Sequence, residues 1–274
     1  MLVGLKEILV LAQAGGFAVP AFNVYNMETV IGCITAAEDL HAPVILQTYS
    51  RLFKEGSGYY LASSVLAAAK KAKVPVCFHL DHGASELETT RALRYGTCVM
   101  IDASAMDFDR NVELTRKVVE AANYVEVTVE GELGHVGTVN DGCMDEFTEP
   151  VEAKCFVEAT GVAALAVLVG TAHGRYKKPP KLDIGRIAAI NEAVGIPLVL
   201  HGGSGIPDDQ IRAAIRSGIR KVNFGTDVCY AFLDAVFASS KDVYAIDLFM
   251  KDAVKSVASF AKEKIRLLGA EGQS

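Results

Sequence analysis

The sequence predicts an α/β fold, a single (β/α)8 TIM barrel with a C-terminal helical extension. Three observations carry that expectation. The chain has 274 residues, close to the roughly 250 of a typical barrel. Eight short runs rich in Val, Ile and Leu alternate with amphipathic stretches, and such runs read as parallel strands buried on both faces. Glycines follow many of the amphipathic stretches, as helix C-termini require. A doubly wound sheet is the alternative, but it more often has about five or six strands.

Strands are expected at 18–24, 43–47, 76–80, 98–101, 125–129, 165–169, 197–200 and 221–224. Between the first two, 26–41 reads as a helix. Met27, Val30, Ile31 and Ile34 share one face, and Asn26 is placed to cap the first turn. The same reasoning predicts helices at 85–94, 110–122, 151–159, 184–193 and 207–216, with Pro207 suited to a first helical turn. Gly96, Gly161, Gly195 and Gly218 close four of these patterns. Two segments break the rhythm. The stretch 131–150 is polar and glycine-bearing, long enough to expect a functional loop. The tail 230–274 contains an amphipathic stretch at 248–267, expected to cap the barrel or meet a neighbouring subunit. No linker divides the chain, so 1–274 reads as one domain.

Hydrophobic residues make up 51% of the chain, ample for a large core. The net charge is -6 with both signs interspersed, which argues against a nucleic-acid partner. Six cysteines occur without a C-x-x-C pair, the pattern of a reduced, cytoplasmic protein. No apolar run reaches the ~20 residues of a membrane span, and no signal-peptide pattern opens the sequence.

Barrel active sites form at the C-terminal ends of the strands, so the polar residues at those ends were sought. Strand three leads to Asp81 and His82, strand four to Asp102 and Ser104, and strand five to Glu130 and Glu132. Strand six leads to His173, strand seven to His201 and Ser204, and strand eight to Asn223, Thr226 and Asp227. His82, His173 and His201 each precede a glycine. Three imidazoles at one mouth suit a catalytic zinc, which keeps three protein ligands and an exchangeable position. His79, two residues before Asp81, reads as a core residue or a support for the ligands. The turns Gly202-Gly203-Ser204-Gly205 and Asn223-Phe224-Gly225-Thr226 follow strands seven and eight, where backbone N–H groups often cradle a phosphate. Asp81, beside a proposed ligand, is placed to move a proton or to orient the metal histidine.

Together the stretches PAFNVYNMET, FHLDHG, VMIDAS, VEGELGHVG, VGTAHGRY, LVLHGGSGIPD and KVNFGTD resemble the class II, zinc-dependent ketose-phosphate aldolases. The resemblance runs from about Ala18 to Asp227. It implies that His82, His173 and His201 hold Zn2+, that Glu132 is an alternative ligand, and that Asp81 is the acid/base. It implies that Gly174, Gly202, Ser204, Asn223, Gly225 and Thr226 hold the phosphate and hydroxyketone end of dihydroxyacetone phosphate. It also implies a monovalent cation (Na+ or K+) near that phosphate, a sugar-phosphate substrate, and a homodimer or homotetramer. In such enzymes zinc polarises the ketone and no Schiff-base lysine is needed; Lys221 is expected at the opposite end of strand eight.

Two departures from the family pattern stand out. Family members commonly carry an acidic residue where this chain has Asn140, and the resemblance implies that it moves the proton at C3 of dihydroxyacetone phosphate, a place that Asp141, Asp145 or Glu146 could fill. Ala103-Ser104-Ala105 stands where bisphosphate aldolases usually read Gly-Ser-His. Ser50, Arg51, Lys54 and Arg175 are candidates for a distal anionic group, as is a basic residue such as Lys251 from a neighbouring tail. Other readings of the same residues are a metal-dependent sugar-phosphate epimerase or isomerase, and a non-catalytic sugar-phosphate-binding partner subunit.

Overall fold

A computed structural model describes residues 1–138, 147–174, 176 and 179–274. Asn140, Asp141, Cys143, Asp145, Glu146 and Arg175 lie outside the described residues. A first helix, α1 (Leu5–Gly15), precedes β1 (Val19–Asn23) and α2 (Met27–Asp39). Next come β2 (Val44–Tyr49), α3 (Ser50–Glu55), α4 (Ser57–Lys71), β3 (Val76–Gly83) and α5 (Glu86–Leu93). They are followed by β4 (Cys98–Ile101), α6 (Phe108–Asn123), β5 (Val129–Leu133), α7 (Pro150–Thr160) and β6 (Ala164–Val167). The last elements are α8 (Ile184–Val194), β7 (Leu198–Leu200), α9 (Asp208–Arg216), β8 (Ile219–Phe224), α10 (Thr226–Ala238), α11 (Ile246–Phe249) and α12 (Lys251–Leu267). The strands close a parallel barrel in sequential order, β1 pairing both β2 and β8. This is the expected TIM barrel, with its helical C-terminal segment.

Local chemistry explains most boundaries. The Asn26 side chain accepts from Thr29 N–H and so starts α2, while Ser85, Asp107 and Asp183 do the same for α5, α6 and α8. Gly161 and Gly195 end α7 and α8 in the left-handed conformation, as predicted.

Four expectations need correction. Strand five lies at Val129–Leu133 rather than 125–129. The chain turns between α6 and β5, with Val125 exposed and Glu126 at φ 56°, so the apolar run begins before the strand does. Glu130 and Glu132 therefore belong to the strand itself and face the barrel interior, instead of following it. Lys221 is likewise the third residue of β8, fully buried within the barrel, not at its far end. The tail does not begin a new unit at 230, because α10 already starts at Thr226. Finally, α1, α3 and α4 were not anticipated.

The tail helix α12 completes the barrel wall. Ala253, Val257, Ala261 and Ile265 form a buried stripe at four-residue spacing. Burying Val257 and Ile265 contributes roughly 1.5–3 kcal/mol each. The stripe meets α2 closely enough that a Cβ on Gly32 would lie 2.8 Å from Val257. Phe260 adds edge-on ring contacts to Phe22 of β1 and Phe224 of β8. Among the described residues no helix is long and apolar enough to cross a membrane. The described cysteines, Cys33, Cys77, Cys98, Cys155 and Cys229, are free thiols.

Candidate active site

The three predicted histidines converge at the C-terminal mouth of the barrel. Their rings lie 4.7 Å (His82–His201), 4.8 Å (His82–His173) and 5.9 Å (His173–His201) apart. One nitrogen from each falls within 4.8 Å of the others. Nitrogens bound to one tetrahedral zinc at about 2.0–2.1 Å would sit roughly 3.3 Å apart, and His82 Nε2 and His201 Nδ1 are 3.0 Å apart. His173 Nε2 is buried and has no hydrogen-bond partner among the described residues. A buried orphan nitrogen is costly unless something binds it. These residues fit a divalent metal.

Two of the three rings are held from behind. His82 Nδ1 lies 2.7 Å from Asp102 Oδ2. His201 Nε2 lies 2.9 Å from Glu130 Oε1, whose other oxygen takes Lys221 Nζ at 2.8 Å. His79 Nε2 approaches the same Glu130 oxygen at 3.3 Å, without hydrogen-bond alignment. His173 is fixed through its backbone, donating N–H to Gly137 O at 2.8 Å. Carboxylates that hold a ligand histidine set which nitrogen faces the metal. Here they leave His82 Nε2 and His201 Nδ1 facing inward.

His82 follows Asp81 directly, yet both side chains reach the same mouth. Consecutive strand residues normally point to opposite faces. The exception is made by a bulge: the β3–β4 register shifts between Leu80 and Gly83, and His82 sits at φ 51°. A non-glycine residue held there is strained, which is common at functional sites. Gly83 completes the turn, since a Cβ there would lie 2.6 Å from Met100 O.

The charges are strongly coupled. Burial opposes a positive His82, but Asp81, Asp102 and Glu132 outweigh it and raise its pKa to about 10. Burial, with repulsion from His82 and His201, pushes His173 down to about 3. Burial, reinforced by the Asp102 charge, pushes Glu132 up to about 8. At Glu130 burial favours the neutral acid, yet the Lys221 ammonium and the two histidines hold it well below the usual range. Asp81 is buried too, and the charges of His82, His201 and Lys221, with the Asn23 hydrogen bond, keep it below its usual value. Asn23 Nδ2 donates to Asp81 Oδ2 at 2.7 Å, and Asn223 Nδ2 to Oδ1 at 3.2 Å. Gln47 in turn orients Asn23, donating to its Oδ1 at 2.9 Å.

A cavity of about 610 Å³ opens over this group. Asp81, His82, His173, Gly174, Gly202, Ser204, Asn223, Gly225 and Thr226 all border it. His201 and Glu132 lie buried just beneath, with Glu132 Oε2 3.5 Å from His201 Nδ1 and 3.9 Å from His82 Nδ1 but without a hydrogen bond. Ser50 does not border the cavity; it is buried at the first residue of α3, and its neighbours Tyr49 and Arg51 border it instead. Lys54 is exposed and does not border it. The glycine turn is shaped for close approach: Gly202 has φ 66° and Gly205 φ 79°. Ser204 Oγ accepts from Asp227 N–H at 3.2 Å and also hydrogen-bonds the Asp227 side chain. Thr226 is the first residue of the 13-residue α10, so unpaired N–H groups and the positive end of a helix dipole meet the cavity.

The sequence matches the class-II fructose-bisphosphate aldolase family over residues 3–273. The chain belongs to that family. The YdjI aldolase of Escherichia coli K12 is 35% identical, with 100% of this chain and 99% of that one covered at a TM-score of 0.91. A Coccidioides immitis protein described as a fructose-1,6-biphosphate aldolase is 28% identical over 98% and 97% of the two chains, also at 0.91. The fold recurs in fructose-bisphosphate aldolase from Campylobacter jejuni, at 23% identity, 100% and 97% coverage and a TM-score of 0.84. Membership supports aldolase chemistry, and so a lyase, in a family that is generally metal-dependent.

Sequence reasoning missed several residues of this aldolase-family site. Asn23, Tyr25 and Tyr49 border the cavity from β1, the following turn and β2. Extending the inspection of strand ends to the first two strands would have found them. His135 also borders it. It lies past β5, in a loop whose path no local pattern indicates.

Proposed function

We propose that this chain is a zinc-dependent aldolase that reversibly cleaves a ketose 1-phosphate or 1,6-bisphosphate to dihydroxyacetone phosphate and an aldehyde. One observation supports this above others: three facing imidazoles, a held carboxylate and a glycine-lined helix N-terminus share a single cavity. His82, His173 and His201 would hold the metal, with Glu132 beside them as an alternative ligand. Bound there, zinc would supply a Lewis acid for the ketone oxygen and stabilise the charge left when the carbon–carbon bond breaks.

The remaining work falls to the chain. Ser204, Thr226 and the N–H groups of Gly225 and its neighbours bind the phosphate. Gly174 and Gly202 let the backbone approach the substrate closely, and Asn223 divides its amide between Asp81 and the hydroxyketone. A monovalent cation beside the phosphate would be held by backbone carbonyls of the same turns. Asp81, kept ionised by its neighbours and unable to rotate between two amide donors, accepts the proton of the C4 hydroxyl during cleavage. It returns that proton to the aldehyde oxygen in condensation. A homodimer or homotetramer fits the exposed apolar side chains of α10, α11 and the segment between them, among them Phe237, Tyr244 and Ile246.

Chelation should abolish cleavage of ketose phosphates, and added zinc should restore it, read by a coupled assay for dihydroxyacetone phosphate. Undiminished activity in the metal-free protein would reject the mechanism. Release of an isomerised sugar, without a three-carbon phosphate, would favour an epimerase or isomerase instead. Gly202→Ala is expected to weaken binding of the phosphate end. A Cβ there would lie 2.4 Å from Ala172 O, at a φ that strains alanine. A penalty of about 1–3 kcal/mol corresponds to a KM raised roughly 5- to 150-fold; an unchanged KM would remove Gly202 from the phosphate site.

A further inference from the structure

Aldol cleavage moves two protons, and one carboxylate accounts for only one of them. As the hydroxyl proton leaves, the electron pair of the broken carbon–carbon bond stays on the ketone fragment. That carbon must gain a proton before a neutral ketone departs. Asp81 is clamped through both oxygens and serves the hydroxyl. Among the described residues bordering the cavity, His82 and His173 face the metal position, and Asp102 is occupied by His82 and Ser104.

His135 is placed differently. Its Nδ1 lies 3.0 Å from Ser104 Oγ. That hydroxyl also lies 2.6 Å from Asp102 Oδ1 and 3.0 Å from Glu132 Oε1. A serine hydroxyl has one proton and two lone pairs. The shortest contact, to a carboxylate, claims the proton. His135 Nδ1 must then carry a proton of its own and donate it to Ser104. This fixes the tautomer and leaves Nε2 as a bare acceptor, with no partner among the described residues. The ring is half-buried on the cavity wall.

We propose that His135 is the second proton carrier of this reaction, acting through Nε2 on the carbon of the ketone fragment, an inference that rests on the aldolase reading above. In cleavage Asp81 accepts the hydroxyl proton, the bond pair passes to the ketone fragment, and His135 Nε2–H gives its proton to that carbon. The new C–H bond forms and the ring returns to neutrality. Water carries the proton from Asp81 back to His135, so the cycle closes with no net gain or loss. In condensation Nε2 removes the proton from the same carbon. The ring is one hydroxyl away from Asp102. Ser104 is the positioning residue.

The test follows dihydroxyacetone phosphate alone, in D2O, with zinc-loaded protein. Proton NMR reads exchange at the hydroxymethyl carbon, a half-reaction that needs no aldehyde. His135→Gln should slow exchange by about 100-fold or more, with zinc content and affinity for dihydroxyacetone phosphate unchanged. Ser104→Ala should slow it by a smaller factor, because the ring remains but its orientation is lost. Exchange at the wild-type rate in His135→Gln would overturn the proposal and leave the aldolase reading standing. Loss of zinc or of affinity in parallel with exchange would also overturn it, by showing a structural role. No exchange in the wild-type protein would bring down the aldolase reading itself and this inference with it.

Discussion

Asp81→Ala is expected to lower the cleavage rate by about 10²- to 10⁴-fold while zinc content stays at the wild-type level. The two readouts separate because Asp81 touches the cavity but is not one of the three facing nitrogens. Its carboxylate lies 3.9 Å from His82 Nε2, too far for a hydrogen bond. Its own bonds run to the amides of Asn23 and Asn223, from two other strands. Removing it deletes the proton acceptor and leaves each ring's support intact: Asp102 for His82, Glu130 for His201 and the Gly137 backbone for His173. Zinc content can be read by metal analysis and the rate by release of dihydroxyacetone phosphate. Turnover equal to wild type would end the assignment of Asp81 as acid/base.

Lys221→Met is expected to destabilise the fold by about 3–5 kcal/mol. Lys221 and Glu130 are both fully buried, with Nζ 2.8 Å from Oε2. Methionine keeps the volume but leaves Glu130 as a buried anion without its cation, an arrangement far costlier than replacing both partners. Lys221→Met combined with Glu130→Gln should therefore recover much of the loss. The same pair holds His201 through Glu130 Oε1, so the single variant should also weaken zinc binding by roughly 10- to 100-fold. Urea unfolding of the metal-free protein measures the first effect, and competition with a chelator the second. A destabilisation under about 1 kcal/mol would show that the buried pair is not needed to neutralise Glu130.

The parts of this molecule that were legible in its sequence are those written in local chemistry. Runs of Val, Ile and Leu mark buried parallel strands whatever their neighbours are, so the eightfold alternation predicted the barrel. Asn26, Ser85 and the glycines after α7 and α8 mark helix ends because capping involves residues only a few positions apart. His82, His173 and His201 were legible for a related reason. Each stands where a strand-like run meets glycine, and a parallel barrel brings all such ends to one mouth.

Less was legible where a contact joins distant strands. Strand five was placed early because Val125 and Val127 extend its apolar pattern, although the turn at Glu126 keeps them out of the sheet. That shift placed Glu130 and Glu132 after the strand instead of within it and so hid the reason a lysine is buried in β8. The bulge that turns His82 beside Asp81 was equally hidden, since strand alternation assigns them to opposite faces.

By itself, the sequence determined the element types, their order and the residues delivered to the C-terminal rim, because burial and capping act over a few neighbouring positions. Only the tertiary structure decided which nitrogen of His82 and of His201 faces inward, that Lys221 neutralises Glu130, and that His135 meets Ser104. Those contacts join residues 91 and 31 positions apart. Closing the barrel sets their distances, and no local pattern records it.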